Sequence, residues 1–455
     1  MHKKLLAYLN HEPERYSITP NHIATVVILL GFAFRVLVLH GYGNSLSLAS
    51  DDEGYIQGAI NLLKTGQLTY SFGHPGPMEQ TMLIMPGIQL LLALLFKIYG
   101  YTQSAILWTR FVFILIGCFG MVGLYKVGKK LFGATTALIA TAMWALWPPA
   151  VLADNLILTE TPFITLMLWF IWYAIKYCDT KSDADLLMIL LFWYAGFMFR
   201  STIALMPILF TGYYFAKRFP IKKLIVRGGA SVAILLALLM PWWVRNYLIT
   251  GDFVAATSSS GVVLLAGTFH GDDYPVIELA SFSWAPFLIV GEENAQHHQM
   301  RRMGEYARRR IQYWWQTDRQ SFLETYLIKK PRDTLKNVWW SLQLLEIHAS
   351  TFNNIQVRLL WLALASVVLM CFIKQKRQSA LLCLLFVLYG LLLCIIFLPL
   401  SRYFHPFVPF VFLLVAAFFA HVCSAVKFLI SGIKWRHIFS WRWLSAFPFF
   451  RGIDV

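Results

Sequence analysis

The apolar run NHIATVVILLGFAFRVLVLH, residues 21–40, is followed within ten residues by the acidic run SDDEGY, residues 50–55. The first run has the length of about 20 residues that an α-helix needs to cross a bilayer. The second brings three carboxylates together, those of Asp51, Asp52 and Glu53. Ionisable groups close to a bilayer are costly and usually functional. The pair of runs therefore predicts a membrane protein with a functional site beyond its first helix.

The composition of the whole chain supports this class. Hydrophobic residues make up 58% of the 455 residues and charged residues only 14%. Apolar runs long enough to span a bilayer recur along the chain, which predicts an all-α, polytopic transmembrane helical bundle. The net charge of +16 comes from Lys and Arg at helix ends and in one long loop. That distribution is typical of topology control and lipid contact, and it argues against a nucleic-acid partner.

The cysteines and the first apolar run exclude two further features. No CxxC spacing is present, so we interpret the six cysteines as small packing residues rather than as disulfides or metal ligands. The first apolar run is too long for the core of a cleavable signal peptide, and no cleavage site is evident. The cysteines are Cys118, Cys178, Cys371, Cys383, Cys394 and Cys423.

The apolar runs and basic turns predict about ten spans with a cytoplasmic N-terminus, because Lys3 and Lys4 precede the first span. The run from Pro86 to Tyr99 is too short to cross a bilayer, so it is predicted to be a juxtamembrane helix at the outer surface. The predicted spans are Asn21–His40, Ala105–Tyr125, Leu131–Pro148, Pro162–Tyr177, two short spans within Leu186–Tyr214, Leu224–Trp243, Val357–Ile373, Ala380–Leu398 and Pro406–Cys423.

This threading divides the chain into four regions. Residues 1–243 form an N-terminal transmembrane catalytic module, with a first external loop at 43–104. Residues 244–356 form an external loop with amphipathic helices, residues 357–426 the C-terminal transmembrane helices, and residues 427–455 a cytoplasmic amphipathic tail.

The acidic run allows a structural and a functional interpretation. Ser50 and Glu53 have capping-box spacing, and Gly66 is placed to end the helix that follows. A helix start explains one or two acidic residues, because the helix dipole favours them there. It does not explain three, so the run is also predicted to supply a general base or a metal ligand.

A second acidic motif, LTETP at residues 158–162, follows Asp154 and faces the same side in the predicted threading. Thr159 could act only as an N-cap, with Pro162 early in the helix. The alternative is that Glu160 is catalytic and that Asp154 binds substrate.

Three arginines lie at the outward ends of predicted spans. Arg245, with Asn246 beside it, belongs to PWWVRNY at residues 241–247, Arg200 lies at a hairpin tip, and Arg402 precedes Tyr403. Each arginine could snorkel to the interface, or bind a phosphate through two parallel hydrogen bonds. Together with the acidic residues they predict one site that holds a phosphate while a hydroxyl is deprotonated.

In this order the motifs resemble those of the GT-C superfamily of multi-span glycosyltransferases, close to the bacterial protein mannosyltransferase and aminoarabinose transferase-like families. The resemblance covers most of the chain. The matching positions are Asp51, Tyr55, Ala59 and Gly66, then Pro86 and Gly87, KLFG at 130–133, WPP at 147–149, LTE at 158–160, PWWVRNY at 241–247, and Arg402 and Tyr403 with Pro406 and Pro409.

The resemblance implies transfer of a sugar from a polyprenyl-phosphate carrier to a lipid, glycan or protein acceptor on the outer, periplasmic face of a bacterial inner membrane. Asp51 or Asp52 would be the base, with single displacement and inversion at the anomeric carbon. No cofactor is required by the sequence, although a divalent metal is allowed. Membrane lipids are further partners, and the basic and aromatic residues at 301–315 would anchor to them or contact substrate. The alternative function is a transporter or flippase of a lipid-linked or anionic envelope precursor.

Overall fold

The computed structural model describes residues 19–70, 79–269, 283, 285–287, 289, 294–340 and 346–432. The regular structure of these residues is helical, apart from one isolated antiparallel bridge between Thr69 and Gln80. The all-α prediction is therefore confirmed.

The part of the chain described before residue 251 contains ten α-helices. Most are apolar, and several begin or end at the loops that carry the predicted motifs. They are α1 (Pro20–Tyr42), α2 (Asp51–Thr65), α3 (Gly87–Tyr99), α4 (Gln103–Leu131), α5 (Ala134–Leu146), α6 (Pro148–Asn155), α7 (Glu160–Thr180), α8 (Asp183–Phe199), α9 (Met206–Ala216) and α10 (Ile221–Thr250).

The described residues after 251 add eight α-helices. Those of the predicted external loop are short apart from α12, and those towards the C-terminus are long and apolar apart from α17. They are α11 (Ser260–Gly267), α12 (Ala295–Thr317), α13 (Arg319–Glu324), α14 (Lys330–Lys336), α15 (Ala349–Phe372), α16 (Lys374–Ile396), α17 (Ser401–Phe404) and α18 (Val408–Gly432). A π-helical segment, Thr325–Lys329, joins α13 to α14.

Side-chain caps and glycine fix several helix ends. Thr19 accepts a hydrogen bond from the His22 backbone at the start of α1, and Thr102 accepts one from Ala105 at the start of α4. Gly66 ends α2 with a φ of 74°, a left-handed conformation that glycine adopts at little cost. The predicted end of this helix is confirmed.

The core lies where the apolar helices cross. Helix α4 packs against α5 and α7, and α18 packs against α5 and α15. Phe113, Phe163 and Phe170 are fully buried between them. Between helices that cross a membrane, such side chains stabilise the fold through van der Waals packing, because lipid is as apolar as they are. This core holds the N-terminal end of α7 in place.

Within the described residues, seven helices are long and apolar enough to cross a membrane, or eight if the bent pair of α5 and α6 counts as one span. The sequence predicts about ten spans, more than these seven or eight, because it counts two short helices as spans. The two short spans expected in Leu186–Tyr214 correspond to α8, with 17 residues, and α9, with 11. Helix α3, with 13 residues, is also short, as the prediction for Pro86 to Tyr99 required.

The predicted regional boundaries do not coincide with helix ends. Helix α10 continues past residue 243 to Thr250, and α15 begins at Ala349, before residue 357. The predicted cytoplasmic tail lies largely outside the described residues, which end at 432. The division into regions stays a prediction.

Candidate active site

Three helix ends bring charged residues together. Asp51 is the first residue of α2, Glu160 is the first residue of α7, and Arg200 is the C-cap of α8. The dipole of a helix favours negative charge at its N-terminus and positive charge at its C-terminus. Each of these three charges therefore lies at the helix end that stabilises its sign.

Arg402, on the four-residue helix α17, joins the two carboxylates. Its Nη1 donates a hydrogen bond to Asp51 Oδ2 and its Nε donates one to Glu160 Oε1. Its Nη2 lies 3.3 Å from Glu160 Oε2, so the guanidinium forms a fork on Glu160. One arginine thus links residues that are more than 100 positions apart in the chain.

Arg200 completes the group of charges. Its Nη1 lies 2.7 Å from Glu160 Oε1, and its guanidinium carbon lies 5.5 Å from the centre of the Tyr403 ring. The Glu160 side chain is fully buried, whereas 15% of the Asp51 side chain is exposed. Asp51, Glu160, Arg200 and Arg402 are called the charge cluster below. The cluster is formally neutral, and Asp51 is its more accessible carboxylate.

Two tyrosines flank Asp51. The hydroxyl of Tyr70 donates to Asp51 Oδ1 at 2.9 Å, and the rings of Tyr70 and Tyr55 lie 5.5 Å apart. Burial, and after it the negative charge of Asp51, raises the pKa of Tyr55 above its ordinary value. Burial is also the largest cause of the raised pKa of Tyr70. Both phenols therefore stay protonated at physiological pH, and Tyr70 remains a donor to Asp51.

Asp52 has a different environment from its neighbour. Its Oδ2 accepts from the Ser47 hydroxyl at 2.6 Å and from the Leu48 backbone at 2.9 Å, and its Oδ1 accepts from the Ser50 backbone at 3.2 Å. The side chain is buried. Asp52 thus stabilises the loop before α2. The spacing of Ser50 and Glu53 predicts a capping box at the start of this helix. That capping box is not formed, because Ser50 makes no side-chain cap, and Glu53 is exposed.

Asp154 lies in a separate buried ion pair. Its Oδ2 is 2.6 Å from Arg35 Nε, and its Oδ1 accepts from the Thr161 hydroxyl at 2.7 Å. Arg35 also donates to the Ala145 carbonyl at 2.8 Å. A side chain at Gly117 would collide with the Asp154 carboxylate, so that glycine makes room for the pair. These contacts connect helices, and they do not bring Asp154 into the charge cluster.

Arg245 and Asn246 also lie outside the charge cluster. Arg245 donates to the Thr81 carbonyl at 3.2 Å and to Asn246 Oδ1 at 2.9 Å, and its guanidinium lies over the Trp242 ring. The Thr81 backbone in turn donates to the Leu68 carbonyl at 2.8 Å. Arg245 therefore holds the segment that precedes Tyr70. One of its nitrogens, Nη2, is buried without an acceptor among the described residues.

Two contacts of the charge cluster come from residues that the sequence analysis did not select. Tyr70 bonds Asp51, and the Trp339 ring lies 5.7 Å from the guanidinium of Arg402. Neither residue belongs to a motif with recognisable spacing. Thr159, proposed as an N-cap, makes no cap hydrogen bond and lies 3.4 Å from Glu160 Oε2 instead.

The carboxylates of the charge cluster are neutralised by guanidinium groups. In the described part of the chain, no three His, Cys, Asp or Glu side chains are arranged to hold a metal ion. A divalent cation would have to compete with Arg402 for Asp51 and Glu160. Dependence on a divalent metal stays a prediction, which an activity assay with and without a chelator would test.

Part of the chain matches a protein-family model. Residues 76–244, less than half of the chain, match the family described as dolichyl-phosphate-mannose-protein mannosyltransferase. This range contains Glu160 and Arg200 but neither Asp51 nor Arg402. No curated protein matches the chain significantly in sequence.

Solved structures share the fold. The archaeal oligosaccharyltransferase AglB from Archaeoglobus fulgidus, in complex with an inhibitory peptide and a dolichol-phosphate, aligns at 12% identity with a TM-score of 0.56. The alignment covers 91% of this chain and 52% of AglB, so the chain spans about half the length of that relative. The same enzyme tethered to an acceptor peptide gives a TM-score of 0.50, at 12% identity and over 87% of this chain and 49% of that one.

A more distant match is ArnT from Cupriavidus metallidurans bound to undecaprenyl phosphate, with a TM-score of 0.40 and 12% identity over 87% of this chain and 77% of ArnT. At that score the likeness carries no argument about the site. The family match over residues 76–244 and the fold shared with the oligosaccharyltransferase agree with the resemblance that the motifs predicted.

Proposed function

We propose that the chain is a membrane glycosyltransferase that moves a sugar from a polyprenyl-phosphate donor to an acceptor on the outer, periplasmic face of a bacterial inner membrane. The observation that carries the proposal is the charge cluster, in which Arg402 bonds both Asp51 and Glu160. Support for the carrier comes from the dolichol-phosphate bound to AglB, which shares the fold. The sugar and the acceptor are left to experiment.

Asp51 is the general base in this proposal. It is the more exposed carboxylate of the charge cluster, whereas Glu160 is enclosed by two guanidinium groups. Asp52 is a weaker candidate, because its side chain is buried against the loop before α2, whereas Asp51 is partly exposed. A base must reach the proton that it removes, and this favours a partly exposed carboxylate over a buried one.

Arg402 and Arg200 bind the phosphate and stabilise it as it leaves. A guanidinium has five N–H groups, and Arg402 uses three of them on the carboxylates of Asp51 and Glu160. Two N–H groups therefore stay available for phosphate oxygens. Positive charge held in place where negative charge develops lowers the barrier to reaction.

The reaction is a single displacement. The acceptor hydroxyl transfers its proton to Asp51 as its oxygen forms a bond to the anomeric carbon. The bond from that carbon to the phosphate oxygen breaks, and the polyprenyl phosphate leaves with the electron pair. The configuration at the anomeric carbon is inverted.

Release of polyprenyl phosphate from candidate donor lipids by the purified protein tests the proposal. Asp51→Asn keeps the shape of the side chain but removes the base, so the release rate should fall roughly 100-fold to 10,000-fold. The matched control is Asp179→Asn, which alters an exposed carboxylate paired with Lys130. Unchanged release by Asp51→Asn, with the control also active, would remove Asp51 from the base role.

A further inference from the structure

Lys330, the first residue of α14, is a buried cation far in sequence from the charge cluster. Its side chain is fully buried, and no carboxylate of the described residues forms an ion pair with it. Its Nζ instead donates to the carbonyls of Ile395 at 3.0 Å and Phe397 at 3.2 Å. The Tyr326 ring covers the same nitrogen at 3.8 Å. Burial of an amino group without a carboxylate partner costs free energy, so packing alone does not explain this lysine.

The two carbonyls lie at the C-terminal end of α16. The last carbonyls of a helix have no partner within the helix, and a cation there is favourable. Phe397 leaves the helical conformation, with φ −98° and ψ −100°. Arg402 follows only five residues later, at the start of α17. Lys330 therefore holds the backbone directly before the arginine that joins Asp51 and Glu160.

A second element contacts the same backbone. A Cβ atom added at Gly267, the last residue of α11, would lie 2.7 Å from the carbonyl carbon of Phe397 and 3.3 Å from Lys330 Nζ. Only a residue without a side chain allows so close an approach. Phe397 is thus held between α11 and α14, both from the region that connects α10 to α15.

We propose that Lys330 is a positioning residue, which fixes the turn at Phe397 and so sets the guanidinium of Arg402 between Asp51 and Glu160. The inference rests on the proposed transfer reaction for its functional consequence. A displacement of about 1 Å in a group that acts on the transition state can cost on the order of 100-fold in rate. A lysine that only added stability would leave the rate of the folded enzyme unchanged.

Burial lowers the pKa of Lys330 to about 7. The neutral amine keeps two N–H groups, enough for both carbonyls, so positioning does not require the charge. Stability does depend on pH, because the unfolded chain binds the proton of this lysine up to its ordinary pKa near 10.4. Between about pH 7 and 10 the unfolded state therefore holds more protons, and the folded state gains stability as the pH rises.

The test compares Lys330→Met with Lys336→Met, which removes an exposed lysine from the same helix. Release of polyprenyl phosphate is measured per mole of folded protein. For Lys330→Met we expect kcat to fall roughly tenfold to 100-fold, and the donor KM to rise as well, because Arg402 both binds the phosphate and stabilises it as it leaves. Lys336→Met should match wild type. Equal kcat in both variants would overturn the inference.

Two further measurements do not depend on turnover. Backbone hydrogen exchange in Lys330→Met should rise at residues 397–403, while the rest of the chain matches wild type; exchange that rises everywhere, or not at 397–403, overturns the positioning role. The thermal midpoint of wild type, relative to Lys330→Met, should also rise from pH 7 to 10, because Nζ is buried against the turn; a difference that does not change with pH would mean that Nζ is open to solvent, and would overturn the positioning role. Burial raises the pKa of Tyr326 to about 12, so this residue does not titrate between pH 7 and 10. Cys394, on α16, is present in wild type and in Lys330→Met, so any titration of its thiol cancels when the two are compared.

The two proposals can fail separately. If wild type releases no polyprenyl phosphate from any donor lipid, the proposed function fails, and hydrogen exchange alone decides whether Lys330 fixes the turn. If wild type is active and Lys330→Met is equally active, the proposed function stands and the positioning role fails.

Discussion

Asp51 and Asp52 are adjacent in the chain, yet their carboxylates have different partners. Asp51 contacts Arg402 and Tyr70, both of them distant in sequence, and is partly exposed. The Asp52 carboxylate accepts hydrogen bonds from the loop that precedes it, and its side chain is buried. On the first turn of α2, Asp51 is therefore the candidate base, and its neighbour Asp52 stabilises the preceding loop.

The difference predicts opposite outcomes for two conservative substitutions. Asp52→Asn replaces an acceptor of backbone hydrogen bonds with an amide, so it should destabilise the protein by about 1–2 kcal/mol, as loss of a cap does. Turnover per mole of folded protein should stay within about threefold of wild type. A thermal unfolding series and a turnover assay check both values, with Asp179→Asn at an exposed carboxylate as control. Loss of turnover without loss of stability would make Asp52 the base.

At the level of secondary structure, three helix ends position the charges of the cluster. Asp51 and Glu160 begin their helices and Arg200 follows the end of its helix, so each charge is stabilised by the dipole of its helix. The loops between these elements then need only to hold the helix ends together. The buried pair of Arg35 and Asp154 contributes to this, because it joins α1 to the segment just before α7.

Removal of one partner of the Arg35–Asp154 pair should lower the stability of the folded protein. Asp154→Asn leaves the guanidinium of Arg35 buried without its counter-charge, a change that costs about 3–5 kcal/mol in comparable pairs. We expect a lower thermal midpoint and a lower yield of folded protein. Asp179→Asn is again the control, since exposed pairs contribute about 1 kcal/mol or less. Normal folding of Asp154→Asn with complete loss of transfer would instead support a substrate-binding role for Asp154.

At the scale of the whole molecule, the sequence predicted what depends on local pattern. Apolar runs predicted the long helices, because a chain in lipid must satisfy its backbone hydrogen bonds within each helix. The positions of Asp51, Glu160 and Arg402 beside those runs predicted that they share a site. Whether an arginine pairs, stacks or snorkels depends on tertiary contacts, so the place of Arg245 over Trp242 could not be predicted. Tyr70 carried no motif that could have predicted its bond to Asp51.

A double-mutant cycle tests most directly whether these groups act together on Asp51. Tyr70 contacts Oδ1 and Arg402 contacts Oδ2, so Tyr70→Phe and Arg402→Lys each disturb the same carboxylate. Interacting residues give coupling energies of about 0.5–3 kcal/mol, and distant ones add independently. The cycle of Arg402→Lys with Arg245→Lys is the control, since Arg245 shares no hydrogen-bond partner with Arg402 among the described residues.

The measurement is kcat/KM for polyprenyl phosphate release by wild type, the single variants and the double variants. The losses from Tyr70→Phe and Arg402→Lys should not multiply in the double variant, whereas those from Arg245→Lys and Arg402→Lys should. Losses that multiply in the first pair would contradict a site in which Tyr70 and Arg402 converge on Asp51.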